Sequence, residues 1–98
     1  MYRIIILPLA KADIKTAANW YNKKQQGLGK RFTFHIKNTI NFIETNPKAT
    51  AIKYSQIRTT NVSVFPFMIH YFIDEINTSI VVTAVFHTSQ NPLKWKKR

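Results

Sequence analysis

The stretch FMIHYFIDEINTSIVVTAVF, residues 67–86, decides the fold. Phe67, Ile69, Tyr71 and Ile73 alternate with Met68, His70 and Phe72, the period-2 pattern of a strand with two different faces. Asp74-Glu75-Ile76-Asn77-Thr78 then reads as a turn. Ser79 to Phe86 follows with Ile80, Val81, Val82, Val85 and Phe86, the strongest strand signal in the chain. Just upstream, Ile57 to Phe65 carries the β-branched residues Thr59, Thr60, Val62 and Val64, and Pro66 interrupts it before Phe67. These three strands predict an antiparallel meander with Ser79–Phe86 at its centre.

Outward from the meander toward the N-terminus the period changes. Residues 48–55 have no clear repeat and read as a connecting loop or the entry to a strand. Phe32, Ile36, Ile40 and Ile43 recur at helical spacing, widened by Phe34 and Phe42, and this helix should stop before Asn46-Pro47. Ala10, Ile14, Ala17 and Tyr21 define an earlier helix, with Lys11, Lys15, Asn19 and Asn22 on its other face. It ends near Gln25-Gln26-Gly27, and Gly27 and Gly29 bracket a tight connection that makes the two helices a hairpin. Ile4 to Leu7 is a short apolar run closed by Pro8, and predicts a strand buried inside the sheet. The order β-α-α-β-β-β is that of an α+β fold: a four-stranded sheet, the first strand beside the last, and the helical hairpin packed on one face.

A chain of 98 residues has room for one domain, ending here in a basic tail, residues 90–98. Thirteen aromatic residues within a 45% hydrophobic composition describe a packed body. The absence of cysteine excludes disulfides, thiolate zinc sites and a cysteine nucleophile. The apolar run before Pro8 is too short for a signal-peptide core or a membrane span, so a soluble, cytoplasmic protein with no membrane partner is expected. Fifteen Lys and Arg against four carboxylates leave a formal charge of +11. That field calls for an anionic partner, and nucleic acid, an acidic protein segment or an anionic surface would each answer it.

Asp13-Ile14 and Trp20-Tyr21 in the first helix, ETNP at the end of the second, VFPFMIHYFID and the closing VFHTSQNPLKW together resemble the RelE/ParE superfamily of bacterial toxins along nearly the whole chain. The resemblance implies the toxin of a type II toxin–antitoxin system, a plasmid-stabilisation type of protein in a toxin–antitoxin hetero-oligomer. A cognate antitoxin would wrap an extended segment over it, with charge attraction and exposed strand edges to favour binding. It also implies one of two mechanisms. ParE-like members inhibit DNA gyrase by binding, whereas RelE-like members cut mRNA on the ribosome through the 2′-hydroxyl. The sequence departs from the pattern at Gln90, where many relatives carry Arg, so a role for that guanidinium does not transfer.

An RNA cutter needs a proton acceptor, a cation for the charged phosphorane and an acid for the leaving oxygen. His87, Arg58 and Lys53 are the candidates for those roles, and Tyr54 is a candidate for stacking on a base. Each also has a plainer reading: a solvated cation, or a histidine bonded at a strand end. Lys94, Trp95, Lys96, Lys97 and Arg98 could join stacking to phosphate attraction, although Trp95 reads equally as a residue that pins the tail to the body. His35 and His70 read as surface or packing residues. The three histidines have no metal-ligand spacing, so neither metal nor cofactor is expected. The closing HTSQNPLKW favours the ParE-like reading, a binding toxin and no enzyme.

Overall fold

The computed structural model describes residues 1–97. Eight elements follow in order: β1 (Arg3–Ile6), α1 (Pro8–Lys24), α2 (Leu28–Thr45), β2 (Ile52–Tyr54), β3 (Ile57–Asn61), β4 (Phe67–Asp74), β5 (Ser79–His87) and a 3-10 helix (Pro92–Lys97). The sheet order is β1-β5-β4-β3-β2, with β1 parallel to β5 and the other pairs antiparallel. The α+β layout, the hairpin and the placement of the first strand beside the last all agree with the sequence.

Four expectations are corrected. The sheet has five strands, because Ile52–Tyr54 pairs with β3 through a register shift. β4 occupies its centre, since β5 lies between β4 and β1. The third strand from the C-terminal end stops at Asn61, and Val64 adopts a left-handed φ of 75° in the turn that follows. β1 is an edge strand: Ile4 and Ile6 pack toward the helices, but Ile5 is 37% exposed on a face that nothing covers fully.

Pro8 opens α1, where its missing N–H costs no hydrogen bond and its fixed φ suits the first helical turn. Lys23 and Lys24 fall in the last turn, where cations complement the helix dipole. Gly27 takes φ +87° between the helices, and its N–H donates to Asn22 Oδ1 at 2.9 Å. A Cβ on Gly29 would sit 2.5 Å from the Ala18 carbonyl oxygen, so this glycine sets how closely α1 and α2 approach. Asn46 ends α2, its backbone and side-chain N–H groups both donating to the Phe42 carbonyl.

The main core lies between the hairpin and one sheet face. Phe32 is fully buried against Tyr21, Phe65 and Phe67, with ring centroids 5.0–5.3 Å away. Truncating such a residue to Ala costs about 3–5 kcal/mol. Tyr71, also fully buried, donates its hydroxyl to the Pro47 carbonyl at 2.8 Å and so ties the chain leaving α2 to the sheet. The other sheet face is partly covered as well. There His70 is fully buried, with Phe86 and Trp95 rings at 5.1 and 4.9 Å.

Candidate functional site

β5 is longer than its neighbour β1, and the difference creates a groove. β1 pairs with Ser79 to Val82, and the Leu7 N–H makes a last bond to the Val82 carbonyl at 3.0 Å. Pro8 has no N–H to continue the ladder, and the chain turns into α1. Beyond Val82 the β5 edge is therefore open. Thr88 bonds across to Pro66 at 2.8 Å on the β4 side, so by strand alternation the N–H groups of Val85 and His87 point toward the open edge.

Both are taken by side chains. The Asp13 carboxylate, on α1, accepts from Val85 N–H at 3.0 Å. Gln90 Oε1 accepts from His87 N–H at 2.8 Å, while Gln90 N–H returns to the His87 carbonyl at 3.0 Å. Between this edge and α1 lies a cavity of about 630 Å³, walled by Ala12, Thr16 and Trp20 on one side and by Pro66, Phe67 and His87 on the other. Trp20 is 54% exposed at its rim, with Lys24 Nζ 4.9 Å from the ring centroid. Tyr21 closes one wall, and burial raises its hydroxyl pKa above the ordinary 10.0. The arrangement suits an apolar side chain presented by a protein partner, with one cation, Lys24, at the entrance.

The residues proposed for catalysis do not converge. Through β4, Arg58 is level with Val82 of β5, and two strand spacings plus five residues put the His87 backbone about 19 Å from that of Arg58. The Arg58 guanidinium donates to the Thr50 carbonyl, and Lys53 is exposed on β2. His87 packs its ring 5.1 Å from Phe67. Its Nδ1 accepts the Ser89 backbone N–H at 3.0 Å, a group that can only donate, so the proton of the neutral ring sits on Nε2. Ser89 Oγ lies 2.7 Å from the same nitrogen.

Tyr54 and Trp95 come together, but on the opposite sheet face from His87. Tyr54 Oη lies 2.9 Å from His70 Nδ1, and the Tyr54 and Trp95 rings are 5.5 Å apart. Lys94 is exposed on the 3-10 helix. The side chains of Lys96 and Lys97, and the whole of Arg98, lie outside the described residues. Among the described residues no cluster of three metal-ligating side chains occurs, and no helix is long and apolar enough to cross a membrane.

The groove residues Asp13, Trp20 and Gln90 were not singled out as a site from sequence. Asp13 carried a signal, being the one carboxylate before Glu44, yet its partner lies 72 residues away.

Comparison with known proteins gives a family match: the ParE toxin of type II toxin–antitoxin system, parDE, over residues 4–92. No curated protein matches in sequence. Among solved structures, the chain is similar to the chromosomal ParDE TA system from P. aeruginosa, with 13% identity, TM-score 0.70, and 91% of this chain and 98% of that one covered. It is similar to the isolated E. coli RelE toxin, with 9% identity, TM-score 0.68, and coverage of 99% and 95%. It is also similar to the intact E. coli RelBE toxin–antitoxin complex, with 12% identity, TM-score 0.68, and coverage of 93% and 100%. At these identities the structural likeness speaks for the fold.

Proposed function

Because the chain belongs to the ParE toxin family of type II toxin–antitoxin systems, we propose that it acts by binding, with DNA gyrase as its target, and that a cognate antitoxin neutralises it. The observation that carries the binding mechanism is the separation of His87 from Arg58 and Lys53, which lie on the paired strands β3 and β2. A phosphoryl-transfer site must hold its base, cation and acid around one phosphate, and pre-organisation at that scale tolerates errors of an ångström or less. The Arg58 backbone lies about 19 Å from that of His87, and the Arg58 guanidinium is engaged with the Thr50 carbonyl.

The antitoxin reading rests on the groove between α1 and β5 together with the charge of +11. An apolar cavity with a half-exposed Trp20 at its rim favours a segment that buries one or two apolar anchors. Lys24 at the rim and the chain's net charge of +11 favour acidic residues beside those anchors. Solved relatives of this fold include toxin–antitoxin complexes, which is consistent with such a partner.

The experiment is induction of the toxin in bacteria without antitoxin, following plasmid supercoiling and mRNA integrity from the same cultures. Loss of supercoiling with intact mRNA is the expected result. Early mRNA cleavage that disappears with His87→Ala or Arg58→Ala would replace the gyrase reading by the RelE-like endonuclease one.

A further inference from the structure

We propose that the outer face of the α1–α2 hairpin is a second binding surface, one that holds the phosphate backbone of double-stranded DNA. This goes beyond the antitoxin and gyrase reading and stands or falls independently of it. Lys11, Lys15 and Lys23 on α1 and Lys30 and Lys37 on α2 are all exposed. On α1, Lys11, Lys15 and Asn19 follow one another at i+4 steps, which places them in a single row. Lys30 and Lys37, two turns apart on α2, line a groove of about 500 Å³ between the helices. The two carboxylates of the hairpin do little to offset these charges: Asp13 is turned to Val85 at the sheet, and Glu44 belongs to the far end of α2.

Three features of this face point to phosphates. Asn19 and Asn22 line the groove from α1 and offer neutral amide donors between the cations. Lys30 and Arg31 occupy the first turn of α2, which has no acidic residue. Cations at the positive end of a helix dipole oppose it, a cost that a bound anion relieves. Gly29 packs its Cα against the Ala18 carbonyl, so the two rows of cations are held on closely packed, rigid helices.

A peptide helix fits this groove poorly, because it would need an apolar seam, and the lining offers one large apolar side chain, Phe34, beside Ala18, Gly29 and Thr33. One exposed ring also makes no stacking platform for a single strand. Duplex RNA is recognised through contacts spread over about 16 base pairs. The hairpin instead presents one straight face, about 26 Å long for the 17 residues of α1. Such a face fits along one B-form backbone, where the duplex carries a charge about every 1.7 Å.

The test is fluorescence anisotropy of the full-length protein with a labelled DNA duplex of about 20 base pairs, titrated at salt concentrations from about 50 to 200 mM. With five lysines on phosphates the slope of log K against log salt should be about −4.5, a loss of about 500-fold over that range. Lys15→Gln/Lys30→Gln/Lys37→Gln should reduce the slope to about −1.8. A control with the same change in net charge, Arg3→Gln/Lys48→Gln/Lys53→Gln, should keep the wild-type slope, and circular dichroism of both variants checks that they fold. Equal losses in the two variants would overturn the proposal, since charge alone would then explain binding. So would an unchanged slope in the hairpin variant, tighter binding of a duplex RNA of the same length, or tighter hairpin-dependent binding of a polyglutamate peptide than of DNA.

Discussion

The carboxylate of Asp13, one turn into α1, accepts the backbone N–H of Val85 on β5 at 3.0 Å. The bond does what a sixth strand or a longer β1 would otherwise do, by satisfying a donor on an interrupted sheet edge. It also fixes α1 over the groove. Asp13→Ala leaves a half-buried N–H without its acceptor and should cost about 1–3 kcal/mol in urea denaturation. Asp13→Asn keeps a carbonyl oxygen in place and should recover most of that loss. Equal destabilisation by both variants would mean that charge, and not the hydrogen bond, is what matters at this position.

Gln90 does the same for His87, and its bond is local, closing a loop of three residues. Gln90→Ala should therefore leave global stability within about 1 kcal/mol of wild type while exposing the His87 amide to faster hydrogen exchange. Combining it with Asp13→Ala opens two successive donors on one edge, the situation natural sheets avoid because it templates strand pairing. The double variant should self-associate in sedimentation experiments at concentrations where each single variant stays monomeric.

These two bonds mark where sequence reading reached its limit. The β4 and β5 patterns were legible because their side chains alternate between two differently covered faces, and the helices because Phe32, Ile36 and Ile43 form one buried stripe. β2 was not, since three residues with Ile52 exposed carry no period. β1 was misread as interior because Ile4, Ile5 and Ile6 look alike, although only alternate residues join the main core. A continuous apolar run states that a strand is buried but not on how many faces. The groove was invisible for a related reason: it exists because β5 outlasts β1, and lengths of paired strands are a tertiary property. Gln90 stood out as a departure from a pattern, yet its role became clear from the distance to His87.

Trp95 lies 4.9 Å from the His70 ring and 5.5 Å from that of Tyr54, which makes the C-terminal 3-10 helix a cover for the second sheet face. Trp95→Ala removes two aromatic contacts and should cost about 1–2 kcal/mol. A Trp20→Phe background leaves Trp95 as the one tryptophan, since the chain has two. Its emission should be blue-shifted in the native protein and shift to the red on unfolding. Native emission typical of a water-exposed indole would refute the docked position.

Tyr2 donates its hydroxyl to Glu75 Oε1 at 2.5 Å, joining the start of β1 to the β4–β5 turn. That hydrogen bond, then burial and the charge of Glu75, raise the phenol pKa above 10.0. The sign follows from linkage: a group whose folded pKa lies above its unfolded one stabilises fully below the unfolded value, and the contribution fades as pH rises through the folded one. Wild type should lose thermal stability above pH 10.0 more steeply than Tyr2→Phe, with the two curves converging at high pH. Parallel curves across that range would show that the bond does not form in solution.

Trp20 is the residue by which the α1–β5 groove can be tested as the antitoxin seat without disturbing the fold. It is 54% exposed, and its ring touches Tyr21 edge-on at 5.0 Å, so the hairpin does not depend on it as it depends on Phe32. An exposed tryptophan at the rim of an apolar cavity is the kind of side chain that carries a large share of interface energy, about 2 kcal/mol or more on truncation. Trp20→Ala should thus weaken antitoxin binding at least about 30-fold by calorimetry. Its melting temperature should stay close to wild type. Phe34→Ala, an exposed aromatic on α2 that does not line the α1–β5 cavity, serves as the comparison and should leave antitoxin affinity unchanged. If Phe34→Ala weakens binding and Trp20→Ala does not, the antitoxin is seated on the hairpin, and the groove must be assigned to another partner.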